Sequence, residues 1–91
     1  MTRYEEFVRA LITQLPNLRR YAIALVGNPA LADDLVQDSV EKALRQSGQL
    51  RELSHLPGWL RRILHNIYVD EIRRGKHERV TAAAYAPRHD C

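Results

Sequence analysis

Ninety-one residues, 45% hydrophobic and 7% aromatic, allow one small domain whose core must come from Leu, Ile, Val and Ala. A lone cysteine, Cys91, excludes an internal disulfide, and no apolar run is long enough for a membrane span. The formal charge of +3 permits contact with a polyanion without arguing for it, so the placement of charge matters more than its sum.

No stretch alternates at strand period; nearly the whole chain repeats at helical spacing. Residues 4–15 place Phe7, Val8, Leu11, Ile12 and Leu15 on one face, with Glu5, Glu6 and Arg9 outward. Pro16 suits the first turn of a second helix. There Leu18, Tyr21, Ala22, Leu25 and Val26 form the apolar stripe, and Gly27 is a natural residue to follow the last turn. Asn28 and Pro29 then read as the cap and first position of the next helix. That helix, ALADDLVQDSVEKAL over residues 30–44, carries four carboxylates against one lysine. Its expected buried stripe is Leu31, Leu35, Val36, Val40 and Leu44. Asp33, Asp34, Gln37, Asp38 and Glu41 lie on the other side, and Gly48 is expected to end it.

Residues 49–56 read as a loop, with Leu50 and Leu53 among polar neighbours. Pro57 or Gly58 opens the last long helix, whose apolar surface comes from Trp59, Leu60, Ile63, Leu64, Ile67 and Tyr68. On the same helix Arg62, Asn66, Asp70 and Arg73 or Arg74 rise at i, i+4, i+8 and i+11 to i+12, one continuous polar stripe. Gly75 marks its end, and KHERVTAAAYAPRHDC lacks a sustained period. The expectation is an all-α bundle of three to four helices over residues 1–76, with residues 77–91 a flexible tail or truncated linker.

Two neighbouring helices of opposite polarity suggest two partners, one basic and one polyanionic. Twelve Arg against two Lys favour planar, multi-donor contacts to phosphate and base edges, though a GC-rich genome gives the same bias. An acidic stripe taken alone is most simply a solvated helix face. Trp59 reads as a packing anchor at the helix start ahead of a base platform. Asp70 either belongs to the reading stripe or balances Arg73 or Arg74 one turn on. His55, His65, His77 and His89 show no zinc spacing, and DDLVQD lacks the Gly and terminal Glu of a calcium loop, so no metal is expected. Nothing has the context of a nucleophile triad, a phosphate loop or a catalytic carboxylate pair. The expectation is a binding domain without cofactor, not an enzyme. The opening MTRYEEF has no signal-peptide character, and the expected setting is cytoplasmic.

Taken together, RRYAIALVGNPALADDLVQDSVEKAL, a variable loop and WLRRILHNIYVDEIRR resemble region 2 of bacterial sigma factors of the extracytoplasmic-function type. The resemblance runs from Leu18 to Arg74, about two thirds of the chain. The family pattern is an A-x-D/E-D-L-V-Q-D/E core followed by a W-L-x-x-I-x-x-N-x-x-x-D-x-x-R-R helix. The wording NPALADDLVQD and ILHN is most similar to the general-stress branch. The resemblance implies binding to core RNA polymerase and capture of the non-template strand of the promoter −10 element. It implies that Asp34, Gln37 and Asp38 face the clamp helices of the β′ subunit. It also implies that Arg62, Asn66 and Asp70 read the strand, that Leu50 lies where the family receives a flipped base, and that Arg61, Arg73, Arg74 and Lys76 add backbone electrostatics.

A whole sigma factor of this type carries a second domain, region 4, and nothing after Arg79 could supply it. The expectation is therefore an excised domain or a natural sigma fragment, weak at promoters because two tethered sites gain through effective concentration; as an isolated domain it is expected to be monomeric. A competing function is a sigma-like decoy that binds an anti-sigma factor and never touches DNA. Such domains tend to lose the acidic motif and the reading stripe, both of which are present here. Both readings imply an anti-sigma partner, for which Leu53, Leu56 and Tyr68 are contact candidates if exposed. A helix-turn-helix duplex binder fits poorly, since the basic helix follows an eight-residue loop and carries an apolar face.

Overall fold

The computed structural model describes residues 1–75, and among them every regular element is helical. The α-helices are α1 (Arg3–Val26), α2 (Pro29–Arg45) and α3 (Leu56–Arg73), with short 3-10 turns at Ser47–Gln49 and Leu53–His55. The expected all-α bundle is the fold that forms. Lys76 and the expected tail lie outside the described residues. None of the described helices is long and apolar enough to cross a membrane.

α1 begins with a reciprocal cap. Glu5 N–H donates to Thr2 Oγ1 at 3.1 Å, and Thr2 N–H donates to Glu5 Oε1 at 2.7 Å. Glu5 and Glu6 add negative charge where the helix dipole favours it. The expected break at Pro16 does not occur: α1 continues through it for 24 residues. Pro16 supplies no N–H for the carbonyl of Ile12. Both residues are on the exposed side, Ile12 58% so, where water can take over that acceptor. On the inner side Leu11, Leu18 and Ala22 enter one core, and their packing keeps the two halves in line.

The turn into α2 follows from three consecutive residues. Gly27 adopts φ 80°, the left-handed region open to glycine, and its N–H closes on Ile23 O at 2.7 Å. Asn28 is extended and accepts from Leu31 N–H at 3.1 Å, and Pro29 follows in the first turn. α2 therefore runs back along α1. It ends at Arg45, before the expected Gly48, and Gly48 sits inside the first 3-10 turn. α3 starts at Leu56, and its first turn meets the second turn of α1: Phe7 and Trp59 pack edge to face with ring centroids 6.0 Å apart.

The core is built from Phe7, Leu11, Leu18, Val26, Leu35, Leu56, Leu60, Ile63, Leu64 and Tyr68, with Ala22, Ala32 and Ala43 fully enclosed. On α2 the innermost line is Ala32, Leu35, Ser39 and Ala43, whereas Leu31, Val36, Val40 and Leu44 flank it half-buried. Small residues at the contact let backbones approach closely, and the larger ones close the sides. Ser39 is tolerated there because its hydroxyl donates to Leu35 O at 2.7 Å.

Candidate functional site

α2 presents Asp34, Gln37 and Glu41 exposed and Asp38 half-buried. Their spacing of i, i+3, i+4 and i+7 makes one stripe, opposite the line of Leu35, Ser39 and Ala43 that faces the core. Asp33 is exposed but engaged: Arg19 Nε of α1 donates to its Oδ1 at 2.7 Å. That hydrogen bond first, and the carboxylate charge second, push the Arg19 guanidinium further above its ordinary range. The structure thus brings together the three carboxylate and amide residues singled out in the sequence.

α3 presents Arg61, Arg62, Asn66, Asp70, Arg73 and Arg74, all exposed. Asp70 Oδ2 pairs with Arg74 at 2.8 Å, one turn on, so the intrahelical partnership left open by the sequence is formed. At the N-terminal end of the stripe lies an open cavity of about 690 Å³. Its walls are residues 49–52 of the loop, His55, Gly58, Trp59 and Arg62. Trp59 thereby does two things: one edge packs on Phe7, and another part borders the cavity.

Leu50 does not project into solvent. The residue is 4% exposed and belongs to the core, and it lines the cavity from there. The groups a ligand would meet first are its exposed neighbours Arg51, Glu52 and His55, together with Arg62. Sequence reasoning passed over Arg51, Glu52 and His55 because the loop has no periodicity to assign faces. Leu56 and Tyr68, suggested as partner contacts if exposed, are 1% and 5% exposed and serve the core, with Leu53 half-buried beside them.

The site therefore combines a carboxylate- and amide-bearing helix face with an open, arginine-flanked cavity that continues into an exposed Arg62–Asn66 edge. Carboxylates in a stripe suit a partner rich in guanidinium groups. A cavity with an aromatic wall and two arginines suits a planar base attached to a phosphate.

Over residues 11–65 the chain matches the family model described as the sigma2 domain of PhyR. It is also 38% identical, over 68 residues, to the ECF RNA polymerase sigma factor EcfG of Rhodopseudomonas palustris (strain TIE-1). That alignment takes in 75% of this chain and 38% of the relative, so the chain spans well under half of that protein's length. No solved structure matches. The family match contains all of α2, the loop and the first half of α3, where the acidic stripe and the cavity lie; the chain belongs to the sigma2 family, as a sigma region 2 domain of the extracytoplasmic-function kind.

Proposed function

We propose that this domain docks on core RNA polymerase through α2 and captures the non-template strand of the −10 element along α3. Asp34, Gln37 and Asp38 would meet arginines of the β′ clamp helices. Arg62 and Asn66 would hold an unstacked base edge and its phosphate, Asn66 satisfying a donor and an acceptor together. Arg61, Arg73, Arg74 and Lys76 would steer the backbone, and the work would take place in the cytoplasm. The domain boundary proposed is residue 76, with residues 77–91 leading towards a region 4.

The observation that carries this reading is the cavity at the end of the exposed Arg62–Asn66 edge. A strand lying on α3 would find there a place for one base turned out of the stack. Leu50 would support that base from below, rather than grip it. The test is binding of the chain to an isolated β′ clamp-helix fragment and, separately, to single-stranded and duplex −10 oligonucleotides. Binding of the clamp fragment with preference for the single strand is the expected result; a folded chain that binds neither overturns the reading.

A second reading, the sigma-like decoy, draws on the family match, which is to the sigma2 domain of PhyR. It predicts binding to an anti-sigma factor and no binding to polymerase fragment or DNA.

A further inference from the structure

Between the two 3-10 turns the chain is extended at Leu50 (φ −87°, ψ 116°) and at Glu52 (φ −130°, ψ 130°). This stretch forms one wall of the cavity beside Arg62, and its position decides where the exposed Arg51 and Glu52 side chains stand. The carbonyls of Leu50 and Arg51 lie outside the helices and both receive hydrogen bonds from one group, Nη2 of Arg3, the bond to Arg51 O measuring 3.1 Å. Arg3 is the first residue of α1, and the reciprocal Thr2–Glu5 cap fixes the turn from which it reaches.

Arg3 also lines a second space of about 160 Å³, with Tyr4, Phe7, Ser47, Gly48 and Leu53, next to the residues that flank the stretch. Arg51 and Glu52 are exposed, so packing alone does not place this part of the loop. Leu50 anchors it through its buried side chain, backbone bonds from Leu50 N–H to Ser47 O and from His55 N–H to Glu52 O fix its ends, and Arg3 adds two side-chain ties between them. Phe7, one turn along the same helix, packs against Trp59, which also lines the cavity.

We propose that Arg3 is a positioning residue for strand capture: it holds residues 50–52 so that the cavity beside Arg62 and Trp59 stands preformed before a base arrives. This rests on the strand-capture reading above. Arg3 need not touch the nucleic acid; its effect runs through the loop, and a preformed loop spares the strand the cost of ordering it.

The test uses the full 91-residue chain as wild type and as Arg3→Ala, Arg3→Lys and Arg9→Ala. Arg9→Ala removes the same charge from an exposed position on the same helix that does not line this cavity. Two quantities are read: amide hydrogen exchange of residues 49–55 in the free chain, and affinity for a single-stranded −10 oligonucleotide. Arg3→Ala is expected to speed loop exchange and to weaken strand binding, each about tenfold, as loss of a charge-assisted hydrogen bond would. Clamp-fragment binding should stay within about twofold, and Arg3→Lys, which can still donate to both carbonyls, should recover most of each loss. Unchanged loop exchange in Arg3→Ala overturns the hold. Faster exchange with unchanged strand affinity overturns the positioning role, as does an equal loss in Arg9→Ala, which would reduce the effect to net charge. A wild-type chain that is folded yet binds no strand instead sinks the strand-capture reading itself, and the exchange data still judge the clasp.

Discussion

Arg19 Nε lies 2.7 Å from Asp33 Oδ1, so a basic residue of α1 engages the carboxylate directly before Asp34 on α2. Both side chains are about half exposed, 50% and 55%, and an ion pair so open to water adds little to stability. Its effect is on the charge offered to a partner. Arg19→Ala is expected to leave the melting temperature unchanged while freeing Asp33 to join the acidic stripe. Binding of an arginine-rich clamp fragment should then fall more steeply with salt than for the wild type. Titrations at two ionic strengths check this, and an unaltered salt dependence would place Asp33 outside the interface.

Asp34 offers the sharper test of the acidic face. It is exposed and on the side of α2 away from the core, so Asp34→Arg should leave helicity and melting intact. Placing a like charge against guanidinium groups costs several kcal/mol, and clamp-fragment binding should drop by at least about a hundredfold. Circular dichroism alongside the binding assay separates that outcome from unfolding; lost helicity would mark Asp34 as a structural residue.

Asn66 carries the corresponding prediction for α3. Asn66→Ala should spare clamp binding and lower the preference for single-stranded −10 sequence by about 1–3 kcal/mol, the range for a bidentate base contact. Oligonucleotides differing at one base, titrated against both chains, would show it. A uniform loss across all sequences would assign Asn66 to backbone contact instead.

Pro16 allows a prediction about stability. Proline inside a helix costs about 3 kcal/mol relative to alanine, partly offset by about 1 kcal/mol through the restricted unfolded chain. Pro16 is exposed, so Pro16→Ala should remove no packing and stabilise the domain by about 2 kcal/mol, restoring an N–H donor towards Ile12 O. Urea unfolding measures it; a destabilised variant would mean that Pro16 serves the fold in some way other than through α1.

Much of this fold is written locally. Gly27, Asn28 and Pro29 each act on their own backbone, so the turn between α1 and α2 could be placed without tertiary knowledge. The stripe of Asp34, Gln37 and Asp38 and the edge of Arg62 and Asn66 follow likewise from helical periodicity. Three features did not show. Periodicity weighted by size points to Val36, Val40 and Leu44, whereas the closest helix contacts go to Ala32, Ser39 and Ala43. Pro16 is a local stop signal that packing on both sides of it overrides. The loop that walls the cavity is tied to Arg3 at Leu50 and Arg51, and no local pattern relates residues so far apart.

That distance bears on how the chain acquires its shape. Helices adjacent in sequence are adjacent in space, a topology of short-range contacts that favours rapid folding. The Arg3 clasp is one of the long-range contacts, with the Phe7–Trp59 pair, and closes across 47 and 48 residues. During synthesis Arg3 emerges early, well before its partner carbonyls exist, and it can close only after residues 50 and 51 have followed α2 out. The cavity, which also needs Gly58, Trp59 and Arg62 of α3, would be among the last features to take form.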